Sequence, residues 1–77
     1  MADVKYEIVK TVGVLSKNGD WTKELNVIKW NDGEEKYDIR NWNRGDEDNI
    51  KMSKGITITK EEFDMLYSLI LTERATR

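Results

Sequence analysis

Three tryptophans set among lysines and arginines are the side chains of this 77-residue chain with the most chemistry to offer. Average composition supplies about one tryptophan per hundred residues, so the count calls for a role. Trp30 directly follows Lys29, and Trp42 stands two positions after Arg40. An indole face stacks on any unpaired base, each contact contributing roughly 1–3 kcal/mol, while neighbouring cations hold the phosphodiester backbone. Bases inside a duplex have no free face, so this combination selects single strands. The competing reading is a tryptophan that simply fills the core, and Trp21, Trp30 and Trp42 are each open to both. Alternation around residue 40 separates two sets. Tyr37 and Ile39 share the side that reads as core, and Asp38, Arg40 and Trp42 share the side that reads as a binding surface.

Enzymatic and metal chemistry lack their usual residues. The chain has no cysteine and no histidine, which removes thiolate zinc sites, disulfides, the commonest general base and both common nucleophilic triads. The five glycines are isolated, so no phosphate-cradling loop is encoded. Asp46-Glu47-Asp48 lacks the alternating oxygen spacing of a calcium loop and reads as a solvated acidic turn. Glu34 and Glu35 also sit at a turn, where neither is desolvated enough for acid–base work. The expectation is no catalysis, no metal and no cofactor.

A net charge of −2 argues at first against a polyanionic partner. Its distribution argues the other way, because phosphates need a local basic stripe rather than a basic protein. Seven acids fall at expected turns (Asp20, Asp32, Glu34, Glu35, Asp46, Glu47, Asp48) and four on an expected helix (Glu61, Glu62, Asp64, Glu73). Asp3, Glu7, Glu24 and Asp38 remain on strands, against Lys5, Lys10, Lys17, Lys23, Lys29, Lys36, Arg40, Lys51 and Lys54. The sheet is therefore basic and its periphery acidic; ordinary solvated lysines on an exposed face are the plainer alternative. No apolar run approaches the roughly 18–20 residues that span a bilayer, and nothing at the start reads as a signal peptide. These features predict a cytoplasmic protein, one domain over residues 1–77, without a membrane partner.

The elements that must carry these side chains are well punctuated. Residues 5–16 are rich in valine and isoleucine and read as a strand, with Gly13 marking a bulge or bend. Asn18-Gly19 is a strong hairpin signal. Strands follow over about Trp21–Trp30, Glu35–Trp42 and Lys51–Ile58, separated by the turn Asn31-Asp32-Gly33 and the acidic loop 44–49. Short turns between consecutive strands imply an antiparallel meander. Thr59 and Glu62 form a capping box, so a helix begins there and runs toward Arg74.

On that helix Phe63, Leu66, Tyr67, Ile70 and Leu71 make a stripe wide enough to cover the sheet, whereas Met65 and Leu69 lie on another side. One helix on one sheet cannot bury both sets, so a second copy is expected to cover Met65 and Leu69. Scattered exposed apolar residues would be the alternative.

Tyr37-Asp38-Ile39-Arg40-Asn41-Trp42, an acidic loop, then Lys54-Gly55-Ile56-Thr57-Ile58 and a helix containing Phe63 resemble the positive cofactor four family of transcriptional coactivators, in particular its bacterial YdbC type. The similarity covers roughly residues 22–71. It implies an α+β fold, a curved four-stranded antiparallel sheet followed by one C-terminal helix, forming a homodimer through helices and sheet edges. It further implies single-stranded DNA binding along the concave sheet surfaces, in transcription, replication or repair. By this resemblance Arg40 takes the backbone-contacting arginine position, Lys54 the basic position before the glycine, and Gly55 permits close packing or close approach of the nucleic acid. Trp42, or alternatively Asn41, corresponds to the aromatic position after the arginine, and Trp30 replaces the stacking aromatic of the preceding hairpin. The long serine- and lysine-rich region of eukaryotic members is missing, and the hairpin carries Asp32, Glu34 and Glu35 where relatives often have basic residues.

The combined expectation is sequence-tolerant binding of single-stranded DNA through Trp21, Lys23, Lys29, Trp30, Arg40, Trp42, Lys51, Lys54 and Gly55, with a dimer interface at Met65 and Leu69. Single-stranded RNA is an alternative ligand, and transcription or replication proteins are further partners; a protein-interaction module is the competing class. On this reading Arg40→Ala weakens binding without unfolding the protein.

Overall fold

A computed structural model describes residues 5–76. Four strands, β1 (Tyr6–Asn18), β2 (Trp21–Trp30), β3 (Glu35–Asn43) and β4 (Lys51–Ile58), precede one helix, α1 (Lys60–Ala75). The strands pair in chain order, each antiparallel to the next. This is the expected ββββα order, with β1 ending two residues later than its sequence pattern suggests and β3 taking in Asn43.

Local chemistry sets the turns. Gly19 has φ of +62° and is followed by Asp20, which does not, so the first hairpin has the pattern in which glycine leads a two-residue loop. Asn18 itself ends β1, paired with Trp21. At the second hairpin Asn31 and Asp32 both have positive φ, 49° and 63°, and the Gly33 amide donates to the Trp30 carbonyl at 2.8 Å. Two successive positive-φ residues match the strand twist, and Asn and Asp tolerate that geometry best after glycine. The capping box at Thr59 forms as read: the Glu62 amide donates to Thr59 Oγ1 at 3.0 Å, and the Thr59 amide donates to Glu62 Oε1 at 2.8 Å.

The bulge expected at Gly13 is one of three. Register shifts occur between Ile8 and Lys10, Thr11 and Gly13, and Val14 and Ser16, leaving Val9, Val12 and Leu15 as extra residues at every third position. Each bulge bends its strand and adds twist. The sheet curls accordingly, and its two faces become an inside and an outside.

The inner face carries the even-numbered residues of β2 and β3. Ile28 and Trp42 are buried there together with Glu24, Asn26 and Asp38, all at 2% exposure or less. No second layer is needed to bury them, because the curl turns this face on itself. Helix α1 lies on the opposite, outer face, where Phe63 stacks on Tyr37 with ring centroids 3.7 Å apart. Tyr37 and Ile39 thus share one face, as alternation indicated, but that face, read as core, is the half-buried one that bears the helix, and the buried core lies on the other side of the sheet. The face of Asp38, Arg40 and Trp42, expected to be an open binding surface, is instead the interior.

The helix covers less than its stripe promised. Phe63 and Leu66 are half-buried, but Tyr67, Ile70 and Leu71 remain exposed, as do Met65 and Leu69. Only the first turns touch the sheet; the rest projects beyond it. The radius of gyration of 14.3 Å exceeds the about 11.5 Å of a compact chain of this length, in keeping with that projection.

Strand β4 approaches β3 closely at one point. A β-carbon on Gly55 would lie 2.2 Å from Arg40 Cβ and 2.5 Å from the Ile39 carbonyl oxygen. Of the two roles implied for Gly55, strand packing is the one seen. Gly55→Ala should therefore cost about 1–3 kcal/mol in urea unfolding, as overpacking does. Gly13→Ala, with nothing within 4 Å of its added methyl, should stay within about 0.5 kcal/mol. Equal midpoints for the two variants would refute the close approach.

Candidate nucleic-acid interface

The inner face is built from two similar units, each a buried carboxylate, an arginine and an indole. In the first, Asp38 is fully buried and accepts from Arg40 Nε at 2.6 Å, from Arg40 Nη2 at 2.8 Å and from Thr57 Oγ1 at 2.7 Å. Arg40 Nη1 also donates to the Ser53 carbonyl at 3.3 Å, and its guanidinium carbon lies 5.0 Å from the centre of the Trp30 ring. In the second, Glu24 accepts from Arg44 Nε at 2.7 Å and Nη2 at 2.9 Å, from Thr22 Oγ1, and from Asn26 Nδ2 at 3.4 Å. The Arg44 guanidinium carbon lies 5.6 Å from the Trp42 ring centre.

A buried carboxylate stays ionised only when its lost hydration is replaced, and a bidentate arginine does this best. The Arg44 hydrogen bonds hold the Glu24 carboxyl below its ordinary range, against the opposing push of burial, with Thr22 and Asn26 adding to the effect. The same pair raises Arg44. Each planar guanidinium is thereby fixed near an indole, where the cation–π attraction adds a further contribution.

These contacts change the roles expected of three residues. Trp42 is 1% exposed, neighboured by Arg44 and by the Tyr6 ring at 5.6 Å, so neither indole face is free for a base. It lies interior, though not beneath the helix. Trp30 is half-buried; its Nε1 donates to Thr57 Oγ1 at 3.2 Å, and Tyr6 stands 5.8 Å from it. The Arg40 side chain is 12% exposed, and its pairing with Asp38 makes it part of the framework. Arg40→Ala cannot then be a clean probe of binding, since it strands a buried carboxylate.

The outer face divides into two halves, and the strand register shows where. Towards the helix, the row Leu25, Ile39 and Ile56 and the row Val27, Tyr37 and Ile58 are apolar. Away from the helix the rows turn polar: Ser16, Lys23 and Asn41 cross three strands side by side, followed by Asn18, Trp21, Asn43 and Lys51. Trp21 is 38% exposed, the most open of the three indoles, and Lys23 beside it is exposed as well. A cleft lined by Ser16, Asn18, Trp21, Lys23, Asn41 and Ser53 opens here.

The remaining expected contacts scatter around this region. Lys51 is exposed on the neighbouring row, and Lys54 is exposed at the bulge that separates Met52 from Gly55 opposite Arg40 and Trp42. Lys29 is set apart from them, at the far end of β2 and half-buried, with Glu7 and Glu35 as its partners on the two adjacent strands. Sequence reading missed Glu24 and Arg44 as a pair, and Asn41 and Ser53 as lining. The spacing of Asp38 and Arg40, two apart on one strand, did carry a signal. Glu24 and Arg44 are 20 residues apart and meet only through the β2–β3 register.

Arg40→Ala should destabilise the fold by about 3–5 kcal/mol, the usual cost of orphaning a buried charge. Adding Asp38→Asn should restore part of that loss; an unfolding midpoint unchanged in the single variant would contradict the framework role. The Glu24 pair predicts a pH dependence. Its folded pKa lies below the ordinary 4.5, so the unfolded chain binds the proton more readily. The stabilisation is complete above 4.5 and is lost as pH falls through the depressed folded value. The gap in unfolding free energy between wild type and Glu24→Gln should therefore be widest near neutrality and close in acid below that range. A constant gap would refute the pairing.

Residues 17–69 match the family described as Transcriptional Coactivator p15 (PC4). An uncharacterised protein of Treponema pallidum (strain Nichols) is 44% identical over 69 residues, spanning 88% of this chain and 78% of that protein. The matched segment contains every strand from β2 onward, both carboxylate–arginine pairs and most of α1. On these grounds the chain belongs to the PC4 family of single-stranded-DNA-binding domains.

Proposed function

We propose that this protein binds single-stranded DNA with little regard to sequence, as a cytoplasmic homodimer acting in transcription, replication or repair. The observation that carries the reading is the polar half of the outer face, where an exposed indole stands among exposed lysines and the amides of Asn18 and Asn41, unpaired among the described residues, in a chain of this family. Trp21 stacks on a base; Lys23, Lys51 and Lys54 neutralise phosphates around it. Trp30, Arg40, Trp42 and Gly55 serve the surface from beneath by fixing the curl and the spacing of β3 and β4. Lys29, flanked by two acids, contributes less.

The dimer is supported by what the helix leaves open. Met65, Leu69, Ile70 and Leu71 are between 46% and 60% exposed, and Ile56 on the adjacent apolar half of the sheet is 56% exposed. Apolar surface of this extent on so small a domain favours association. A second copy offers the same surface and buries both.

Tryptophan fluorescence titrated with a thymidine oligomer tests ligand class and surface together. Wild type should be quenched, and affinity should fall with salt at a log–log slope of about −0.7 for each phosphate contacted. Trp21→Ala should lose most of the quenching and weaken binding by about 1–3 kcal/mol. A salt-independent affinity, or quenching that survives Trp21→Ala, would refute the assignment. A matched RNA oligomer in competition reports which sugar is preferred, since stacking itself is indifferent to it. Leu69→Glu with Met65→Glu should shift the sedimentation profile from dimer to monomer.

A further inference from the structure

Polar side chains on the two faces of the sheet are treated very differently. Inside, Glu24 is tied to Arg44, and Asp38 to Arg40 and Thr57. In the outer cleft the side chains of Ser16, Asn18, Lys23 and Asn41, and the Nε1 of Trp21, make no hydrogen bond with any described residue. Ser53 alone is engaged: its hydroxyl has the Asn41 and Lys54 carbonyl oxygens at 3.4 and 3.2 Å, which takes its proton and leaves its oxygen as an acceptor. Free donors and acceptors thus surround one exposed indole, and no carboxylate among the described residues lines the cleft.

Phosphate recognition does not require this composition. A backbone track needs cations, and lysine alone would serve. Side-chain amides offer something else, a donor and an acceptor side by side, which is the pattern that complements the edge of a nucleobase. Asn41 is well placed for it. It is half-buried on the central strand β3, directly beside Lys23 on β2, so the surrounding strands limit its rotamers. Asn18 reaches the same cleft from the end of β1, beside Trp21.

We infer that the cleft is a base-reading subsite, in which an unpaired nucleobase stacked on Trp21 has its edge read by Asn41, with Asn18 and Ser53 as further partners. This rests on the proposed single-strand binding and adds to it: contacts elsewhere on the sheet are indifferent to sequence, and one nucleotide position is not. The subsite belongs to this chain's own pattern of amides and hydroxyls around Trp21. It requires only that a base leave the stack of its neighbours, as single strands allow.

The test measures affinities of thymidine, deoxycytidine and deoxyadenosine homo-oligomers of equal length at one salt concentration, for wild type, Asn41→Ala and Asn18→Ala. Wild type should prefer one oligomer by about fivefold or more, the usual discrimination of a good amide–base pair. Asn41→Ala should reduce that spread to about twofold while keeping the affinity for the weakest oligomer, because phosphate contacts and stacking remain. Stacking preferences alone would survive the substitution, so a spread that persists in both variants overturns the inference. So does a wild type that binds all three alike. In either of those cases single-strand binding itself stands, whereas failure to bind any oligomer overturns both readings. Unfolding midpoints of the two variants, expected to match wild type, separate lost contacts from lost structure.

Discussion

Two carboxylates sit inside a curled sheet, and most of the architecture follows from keeping them charged there. Removing a carboxylate from water costs several kcal/mol even after relaxation, so Asp38 and Glu24 persist only because Arg40 and Arg44 each meet them with two parallel N–H groups. That demand fixes the guanidinium planes. The planes in turn lie near Trp30 and Trp42, and Tyr6 completes the cluster. A core with only Ile28 and Trp42 as fully buried apolar side chains among the described residues would be poor by area alone. Here directional polar bonds take over part of the task of specifying one arrangement. The donor of Trp42 Nε1 and the acceptor Asn26 Oδ1 remain buried without a partner among the described residues, so the satisfaction is incomplete.

The curl separates enclosed from exposed aromatic residues. On a flat sheet, three tryptophans interleaved with cations would all be platforms. Closing one face withdraws Trp42 fully and Trp30 partly, and leaves Trp21 on the convex side with Lys23 beside it. The three bulges of β1 produce much of this curvature, since each extra residue lengthens the edge strand relative to its neighbour. Curvature and exposure are therefore linked: the side that packs itself shut leaves its opposite face open. Gly55 belongs to the same economy of space, since only a residue without a side chain lets β4 lie against Arg40.

The helix illustrates the difference between being amphipathic and being buried. Its apolar positions are arranged as a covering stripe, yet only Phe63 and Leu66 come near the sheet. The stacked Tyr37–Phe63 pair anchors the first turn and the capping box fixes its entry, after which the axis leaves the sheet behind. The apolar stripe left in solvent beside an apolar half-sheet is the surface on which the proposed dimer rests.

Element identity was legible in the sequence because it depends on local rules. Gly19, Asn31-Asp32 and Thr59 with Glu62 each impose a backbone geometry within a few residues, so four strands and one helix could be placed within two residues of their observed ends. The resemblance at Tyr37–Trp42 and Lys54–Ile58 was legible too, and it is the segment that the family match covers. Alternation correctly divided β3 into two faces, but the Tyr37 face that it marked as core is the half-buried, helix-bearing one, and the buried core is on the other. It could not say which of two faces a curled sheet encloses, because that depends on the sum of twists along β1 and not on any single residue. Nor could it pair Glu24 with Arg44, or gather Ser16, Asn41 and Ser53 around Trp21, because those neighbours come from three or four strands and exist only once the register is set. What tertiary structure alone decided was thus which charges are neutralised inside and which indole is left outside, for the physical reason that burial is a property of the whole surface and not of the pattern along one strand.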